Sequence, residues 1–333
     1  MFLTQVYIPV RAKIIHRVVA TGLAIALCLV SPTVSYSQEP TQQSVLTMGK
    51  VTRKVSKWHG RIEPIMNHLA PRLKDMGIER GEVLLAKDNS AGVNYLREGK
   101  LDIILETPFS ACLYKVEANA TPILLVSRQG MLEYNSVIFV RKDSGIHRLE
   151  DLRGKIIAFE DPGSTSGYFL PKLSMLAEGL ELFEMDSLDS PVPEDGVGYV
   201  FAGEELNIST WVHRNKVDAG ALSNLDWPDN EDNPESYRKE FEIIYESRKV
   251  PRMLVAVREG LDKKLVARIK EELLNMHKTE EGRKALQTAK IDRFVVLLGR
   301  SEDALKPIEE LLERTSAKDI FGNNVSTPEH QVR

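Results

Sequence analysis

Phe159-Glu160-Asp161-Pro162-Gly163-Ser164-Thr165-Ser166-Gly167-Tyr168 lies between an apolar, β-branched run at 156–159 and a helical spacing of Tyr168, Leu170, Leu173 and Leu176. Strand, tight turn and helix in this order form one unit of an α/β layer fold. The first turn of a helix carries backbone N–H groups without intrahelical acceptors. Its aligned peptide dipoles place about half a positive charge there. Gly163 and Gly167 allow close approach to the backbone, and Ser164, Thr165 and Ser166 add neutral hydroxyl donors. Such a turn suits a tetrahedral oxyanion. Plain capping by Ser164 or Thr165 is the alternative, but one hydroxyl suffices for that. No Lys follows Gly167, which excludes a P-loop. Thr165 stands at the centre of the two glycines, where a nucleophile elbow needs Ser.

The alternation continues on both sides. Apolar runs at 45–49, 83–86, 101–105, 122–126 and 136–140 are predicted strands. Ile62, Ile65, Met66, Leu69 and Leu73 share one face of a helix predicted over 61–76, which Gly77 ends. Ser90 is the expected cap of a short helix to 96, and another helix covers 109–118. Beyond the anion turn, strands are predicted at 198–201, 217–222, 241–245 and 253–257, with a helix at 205–214. The remainder reads as helices over 263–276, 280–288 and 302–314. This pattern predicts two α/β lobes with mostly parallel sheets. Lobe one takes 44–141 plus 250–316, lobe two takes 145–246, and 317–333 form a loose tail. Two crossings make a hinge, with a cleft between the lobes where ligands commonly sit.

The chain has 333 residues, 42% of them hydrophobic and 28% charged, which is ordinary for a globular protein. A net charge of −4 gives no reason to expect a nucleic-acid partner. The 7 histidines are scattered and only 2 cysteines are present, so neither a metal nor a cofactor is expected. Near the N-terminus Arg11, Lys13 and Arg17 precede an apolar run at 18–30, then Ser31, Pro32 and Ser37. This is the layout of a signal peptide over 1–37, with an apolar run too short to span a bilayer. An uncleaved anchor is the alternative. Export would place the protein in the periplasm or another extracytoplasmic space. It would leave Cys112 without an intrachain partner.

Four pieces then stand together in order and spacing: Asp143-Ser144-Gly145-Ile146, Asp151-Leu152-Arg153-Gly154-Lys155, the Asp161-to-Gly167 run, and Val217-Asp218-Ala219-Gly220. Over residues 45–290 the chain resembles the periplasmic phosphate/phosphite/phosphonate-binding proteins of ABC transporters. The resemblance implies a type II periplasmic-binding-protein fold with the ligand between two lobes. It implies that Ser164, Thr165 and Ser166 grip phosphoryl oxygens, that there is no catalysis and no cofactor, and that a monomer delivers a small oxyanion to an ABC permease. A sensor input to a membrane kinase or chemoreceptor is the second reading, and an enzyme acting on a phosphorylated metabolite the third. Two departures stand out. Thr107-Pro108-Phe109-Ser110-Ala111 lacks the tyrosine usual in that segment, and Ala202-Gly203-Glu204-Glu205-Leu206-Asn207 lacks the usual histidine.

Further candidates flank the strand ends. Asp161 and Gly167 complete the anion turn. Glu204 or Glu205 could accept a hydrogen bond from a protonated ligand oxygen or an amine, or could simply favour a helix N-terminus. Asp226 lies just past a strand end, on the side that faces the crevice in open α/β sheets. From lobe one, Arg53 could pair bidentately with an anion, Thr107 could contribute its hydroxyl or backbone, and Tyr134 and Trp58 could wall the cleft.

Overall fold

The structure, a computed structural model, describes residues 44–52 and 54–314. The signal peptide read over 1–37, Arg53, and the tail read over 317–333 lie outside the described residues. Strands β1 (Val45–Val51), β2 (Arg80–Ala86), β3 (Ile103–Glu106) and β4 (Thr121–Ser127) alternate with helices α1 (Val55–Leu69), α2 (Asn89–Arg97) and α3 (Pro108–Ala118). The short β5 (Glu133–Tyr134) leads to β6 (Ser136–Arg141), β7 (Ile156–Phe159), α4 (Leu170–Ala177), β8 (Glu181–Glu184) and β9 (Gly196–Phe201). Then come α5 (Glu205–His213), β10 (Ala219–Ser223), α6 (Glu235–Arg238) and β11 (Phe241–Glu246). The chain returns through β12 (Val250–Pro251) to β13 (Leu254–Val257), α7 (Lys263–Asn275), α8 (Glu280–Ala289), β14 (Arg293–Val296), α9 (Arg300–Asp303) and α10 (Lys306–Arg314).

Two six-stranded sheets result, ordered β14-β4-β13-β3-β1-β2 and β11-β6-β10-β7-β9-β8. Strands β3 and β13 are buried along their whole length. Burial on both faces explains their unbroken apolar sequence. Helices α1, α7 and α8 cover one face of the first sheet, and α2 and α3 the other. In the second sheet, Met175 of α4 packs on one face, and Ile208 and Val212 of α5 on the other. Strands β5 and β12 pair only with each other, Val250 opposite Tyr134 and Pro251 opposite Glu133. This ribbon carries both crossings. A separate apolar cluster braces it, joining Phe109 and Leu113 of α3, Phe169 and Leu170 of lobe two, and Leu305, Ile308 and Leu312 near the C-terminal end.

Several expectations need correction. β6 pairs with β10 and β11, so 136–141 belong to lobe two, and the boundary expected at 141 falls earlier, at the ribbon. The sheets are mixed rather than mostly parallel, because β13 runs against β3 and β4, and β6 against β10 and β11. In each sheet the strand leaving the ribbon is reversed, and in the first sheet β14 is reversed as well. The helix placed over 61–76 starts at Val55 and tightens to a 3₁₀ turn at Ala70–Met76, after Pro71 removes a donor. The cap of α2 is Asp88, whose carboxylate accepts from the Ala91 amide at 2.8 Å, and not Ser90. The segment after 260 is not wholly helical: β14 pairs with β4. Among the described residues no helix is long and apolar enough to cross a membrane.

Candidate ligand site

The anion turn leaves the C-terminal end of β7 and is wound wider than an α-helix. Thr165–Phe169 form a π-helical turn that feeds α4. Such widened turns recur at functional sites. Ser164 caps it, its Oγ accepting from the Gly167 amide at 2.9 Å. Asp161 Oδ1 accepts from the Gly163 amide at 2.7 Å and shapes the loop. The Asp161 carboxylate and the Gly167 N–H are therefore engaged within the turn, and the Ser164 oxygen serves as an acceptor there. Donors that point to a ligand are the hydroxyls of Thr165 and Ser166, both on buried residues, the O–H of Ser164, and the backbone amides of Thr165 and Ser166, which as the first of the helix have no intrahelical acceptor.

Lobe one meets this turn directly. The Phe109 amide, in the first turn of α3, donates to Thr165 Oγ1 at 3.0 Å. The Phe109 and Phe169 rings pack at 4.3 Å between centroids. A Cβ on Gly163 would lie 3.3 Å from Asn89 Nδ2 at the start of α2, so a larger residue there would press on lobe one. Two helix N-termini from lobe one thus converge on one from lobe two. Thr107 is the N-cap residue of α3, but its side chain makes no cap hydrogen bond. Tyr134, on the hinge ribbon, is 1% exposed, and its hydroxyl has no hydrogen-bond partner at ordinary distance. The Thr165 and Ser166 side chains face that hydroxyl, and burial raises its pKa above the ordinary tyrosine value.

Carboxylates gather beside the turn at the ends of β7, β9 and β10. Burial, with Glu205 and Asp161 nearby, pushes Glu160 well above the usual range. Glu205 is raised by burial and by Asp226. Asp226 accepts from Ser223 Oγ. Asp232 is pushed up to about 7 by burial and then by Glu205 and Asp226. Glu204 reaches across to Lys54 of lobe one at 2.7 Å, both side chains about half exposed. The structure thus brings Thr165, Ser166, Tyr134, Thr107, Glu205 and Asp226 to one cleft and puts Glu204 on its rim. Arg53 lies outside the described residues. Glu160, Asp232 and Lys54 were not singled out from sequence. Glu160 directly follows a strand and was legible there, but nothing local marks Asp232.

The raised Asp232 has a stability consequence. In the unfolded chain an Asp ionises near pH ~3.9, whereas the folded protein holds Asp232 protonated up to about 7. The folded state therefore binds more protons through that window, and stability falls as pH rises across it. Asp232→Asn should raise Tm at pH 8 by about 1–3 °C and change it far less at pH 4, where the folded side chain is neutral and the unfolded one only about half ionised. Equal shifts at the two pH values, read by calorimetry, would remove the ionisation as the cause.

Two α/β lobes, an antiparallel two-stranded hinge and a hydroxyl-lined cleft define a type II periplasmic binding protein. The family model described as "ABC transporter, phosphonate, periplasmic substrate-binding protein" matches residues 53–299, and the chain belongs to that family. It is a family of substrate-binding transport proteins and not of enzymes. The chain is 26% identical to the phosphonates-binding periplasmic protein of Escherichia coli over 284 residues, 83% of this chain and 78% of that one. It is 32% identical to XAC2383 from Xanthomonas citri, solved with chloride (TM-score 0.79) and with ATP (TM-score 0.77), covering 82% of this chain and 98% of that one. PhnD1 from Prochlorococcus marinus, solved with methylphosphonate, shares the fold at a TM-score of 0.61 and 18% identity, covering 82% and 99%.

Proposed function

We propose that the protein captures a phosphorus oxyanion of the phosphate, phosphite or phosphonate class at the π-helical turn and delivers it to the membrane subunits of an ABC transporter. One observation carries this reading. The hydroxyls of Thr165, Ser166 and the unpartnered Tyr134 meet where helix N-termini of both lobes converge. The hydroxyls and the helix ends there are neutral donors and positive dipole ends, which suit an anion. Chloride and ATP, bound to the Xanthomonas relative, are both anions. The neighbouring Glu160 and Glu205 carboxyls, raised toward the neutral form, still present a carbonyl oxygen that accepts from a protonated ligand oxygen. Phosphate and phosphonate monoanions carry one at neutral pH and sulfate does not, and a buried acceptor rejects an analogue without the donor. In this reading residues 1–37 direct export and are removed, and the exported protein works as a monomer.

Thermal melting against phosphate, phosphite, methylphosphonate, aminoethylphosphonate and sulfate tests the proposal. A ligand at about 100 times its Kd adds roughly 2.7 kcal/mol, a Tm rise of a few degrees. A rise with at least one phosphorus oxyanion and none with sulfate is the expected result. No rise with any of them, for folded and ligand-free protein, overturns it.

A further inference from the structure

A second set of charged groups faces the same cleft from lobe one and the hinge. Arg61 in α1, Arg128 just past β4 and Arg252 just before β13 lie at the cleft end of the first sheet. The guanidinium carbons of Arg61 and Arg128 stand 5.1 and 5.7 Å from the Trp58 ring centroid, with Lys50 Nζ at 4.9 Å. Arg252 lies 4.7 Å above the Tyr134 ring, and its Nε is buried without a partner. Lys50 is paired with Glu106, but among the described residues no ion pair holds Arg61, Arg128 or Arg252. Burial, with Arg252 and Arg61 nearby, pulls the Arg128 pKa down to about 10, against the opposing pull of Asp226 and Asp292.

Like charges crowded into a half-buried place are unfavourable unless an anion joins them. Cation–π contacts with Trp58 and Tyr134 offset part of that cost, and Arg128 Nε donates to the Lys290 carbonyl at 3.1 Å, but Arg252 Nε stays buried without a partner. Arg252 lies one aromatic ring, that of Tyr134, away from the hydroxyls of Thr165 and Ser166, with Arg61 and Arg128 beyond it. A second anionic group bonded to an anion held by those hydroxyls would extend toward them.

We infer that the cleft contains a second anion subsite, formed by Arg61, Arg128 and Arg252 around Trp58 and Tyr134, and that the ligand class it selects is a condensed phosphate, two linked phosphoryl groups, either free or esterified. This rests on the phosphoryl reading of the π-helical turn and extends it. Asp226, the lobe-two acid facing Arg128, is the counter-charge that such a ligand would displace.

Calorimetric titration of the full chain with orthophosphate, inorganic pyrophosphate and ADP tests it, using wild type, Arg61→Gln and Arg252→Gln, with melting curves to verify folding. Arg61 lies in an external helix, so its variant remains informative if Arg252→Gln fails to fold. Wild type should bind pyrophosphate at least about 10-fold more tightly than orthophosphate, and either substitution should cut that ratio by about 10-fold, the loss of one charge-assisted contact. An arginine-dependent preference for pyrophosphate or for ADP supports the subsite and separates the free from the esterified source. Orthophosphate binding without any such preference, or a preference that both variants retain, overturns the subsite and leaves the phosphoryl site standing. Failure of all three anions to bind overturns the subsite, and the phosphoryl reading is then decided by phosphite and the phosphonates in the melting panel.

Discussion

Ser166→Ala should weaken phosphorus-oxyanion binding by about 10- to 150-fold, the loss of one hydrogen bond to a charged acceptor at about 1.5–3 kcal/mol. The residue is 7% exposed and is not the cap of its own turn, because Ser164 fills that role. Its hydroxyl is thus available where the Ser164 oxygen is already accepting from Gly167. Tm of the ligand-free protein should move little, since alanine suits the start of a helix and no hydrogen bond of the Ser166 hydroxyl is lost from the fold. Calorimetric Kd values for the variant and wild type decide the matter. An unchanged Kd removes Ser166 from the site, and a large fall in ligand-free Tm would make its role structural instead.

Lys50→Met should cost about 3–5 kcal/mol of folding stability, the range for breaking a buried ion pair from one side. Lys50 and Glu106 are 8% and 3% exposed. They meet at 2.9 Å on the ends of β1 and β3. Glu106 also accepts from the Val51 amide at 2.6 Å and the Thr107 amide at 3.3 Å. The carboxylate thereby ties the floor of the cleft to the start of α3. Methionine would preserve the stem but leave that charge uncompensated. Adding Glu106→Gln in the same chain should recover part of the loss, because the neutral amide oxygen can still accept from Val51. Urea unfolding of the single and double variants checks this. A cost under about 1 kcal/mol for Lys50→Met would show the pair to be solvated like an ordinary surface bridge.

Lobe two and its anion turn were legible in the sequence because their signals are local. A β-branched run, a Pro-Gly turn, consecutive hydroxyls and a helical spacing fall within about 20 residues. The two-lobed α/β layout followed from the order of such units, and the type II fold from the family resemblance that the Asp161-to-Gly167 run carries. What escaped was non-local. β14 carries only four residues, and its strand character comes from pairing with β4. β5 and β12 have two residues each and exist only because they face one another. The reversal of β6 and β13 is decided by where the hinge delivers them. Within the site the same division holds. Ser164, Thr165 and Ser166 stood out, whereas telling which of them caps the turn needed the Gly167 amide to be placed. The arginine group is assembled from α1, the end of β4 and the start of β13, so no window of sequence contains it. Each of Arg128 and Arg252 borders a predicted strand at a lobe crossing, which is the one local hint that was available.

The interposition of β13 between β3 and β4 sets an order of assembly. Lobe two runs without interruption from β6 to β11, and its sheet pairs entirely within that stretch. It can close as soon as that stretch is free to fold. Lobe one cannot, for among the described residues β4 has no strand neighbour except β13 and β14, and these are the last strands described. Strand β4 is made before every strand of lobe two and is therefore fixed after them. Until then the backbone of this apolar strand stays unpaired on both edges, a state prone to sticking but also one that leaves the lobe open until its late strands have been made.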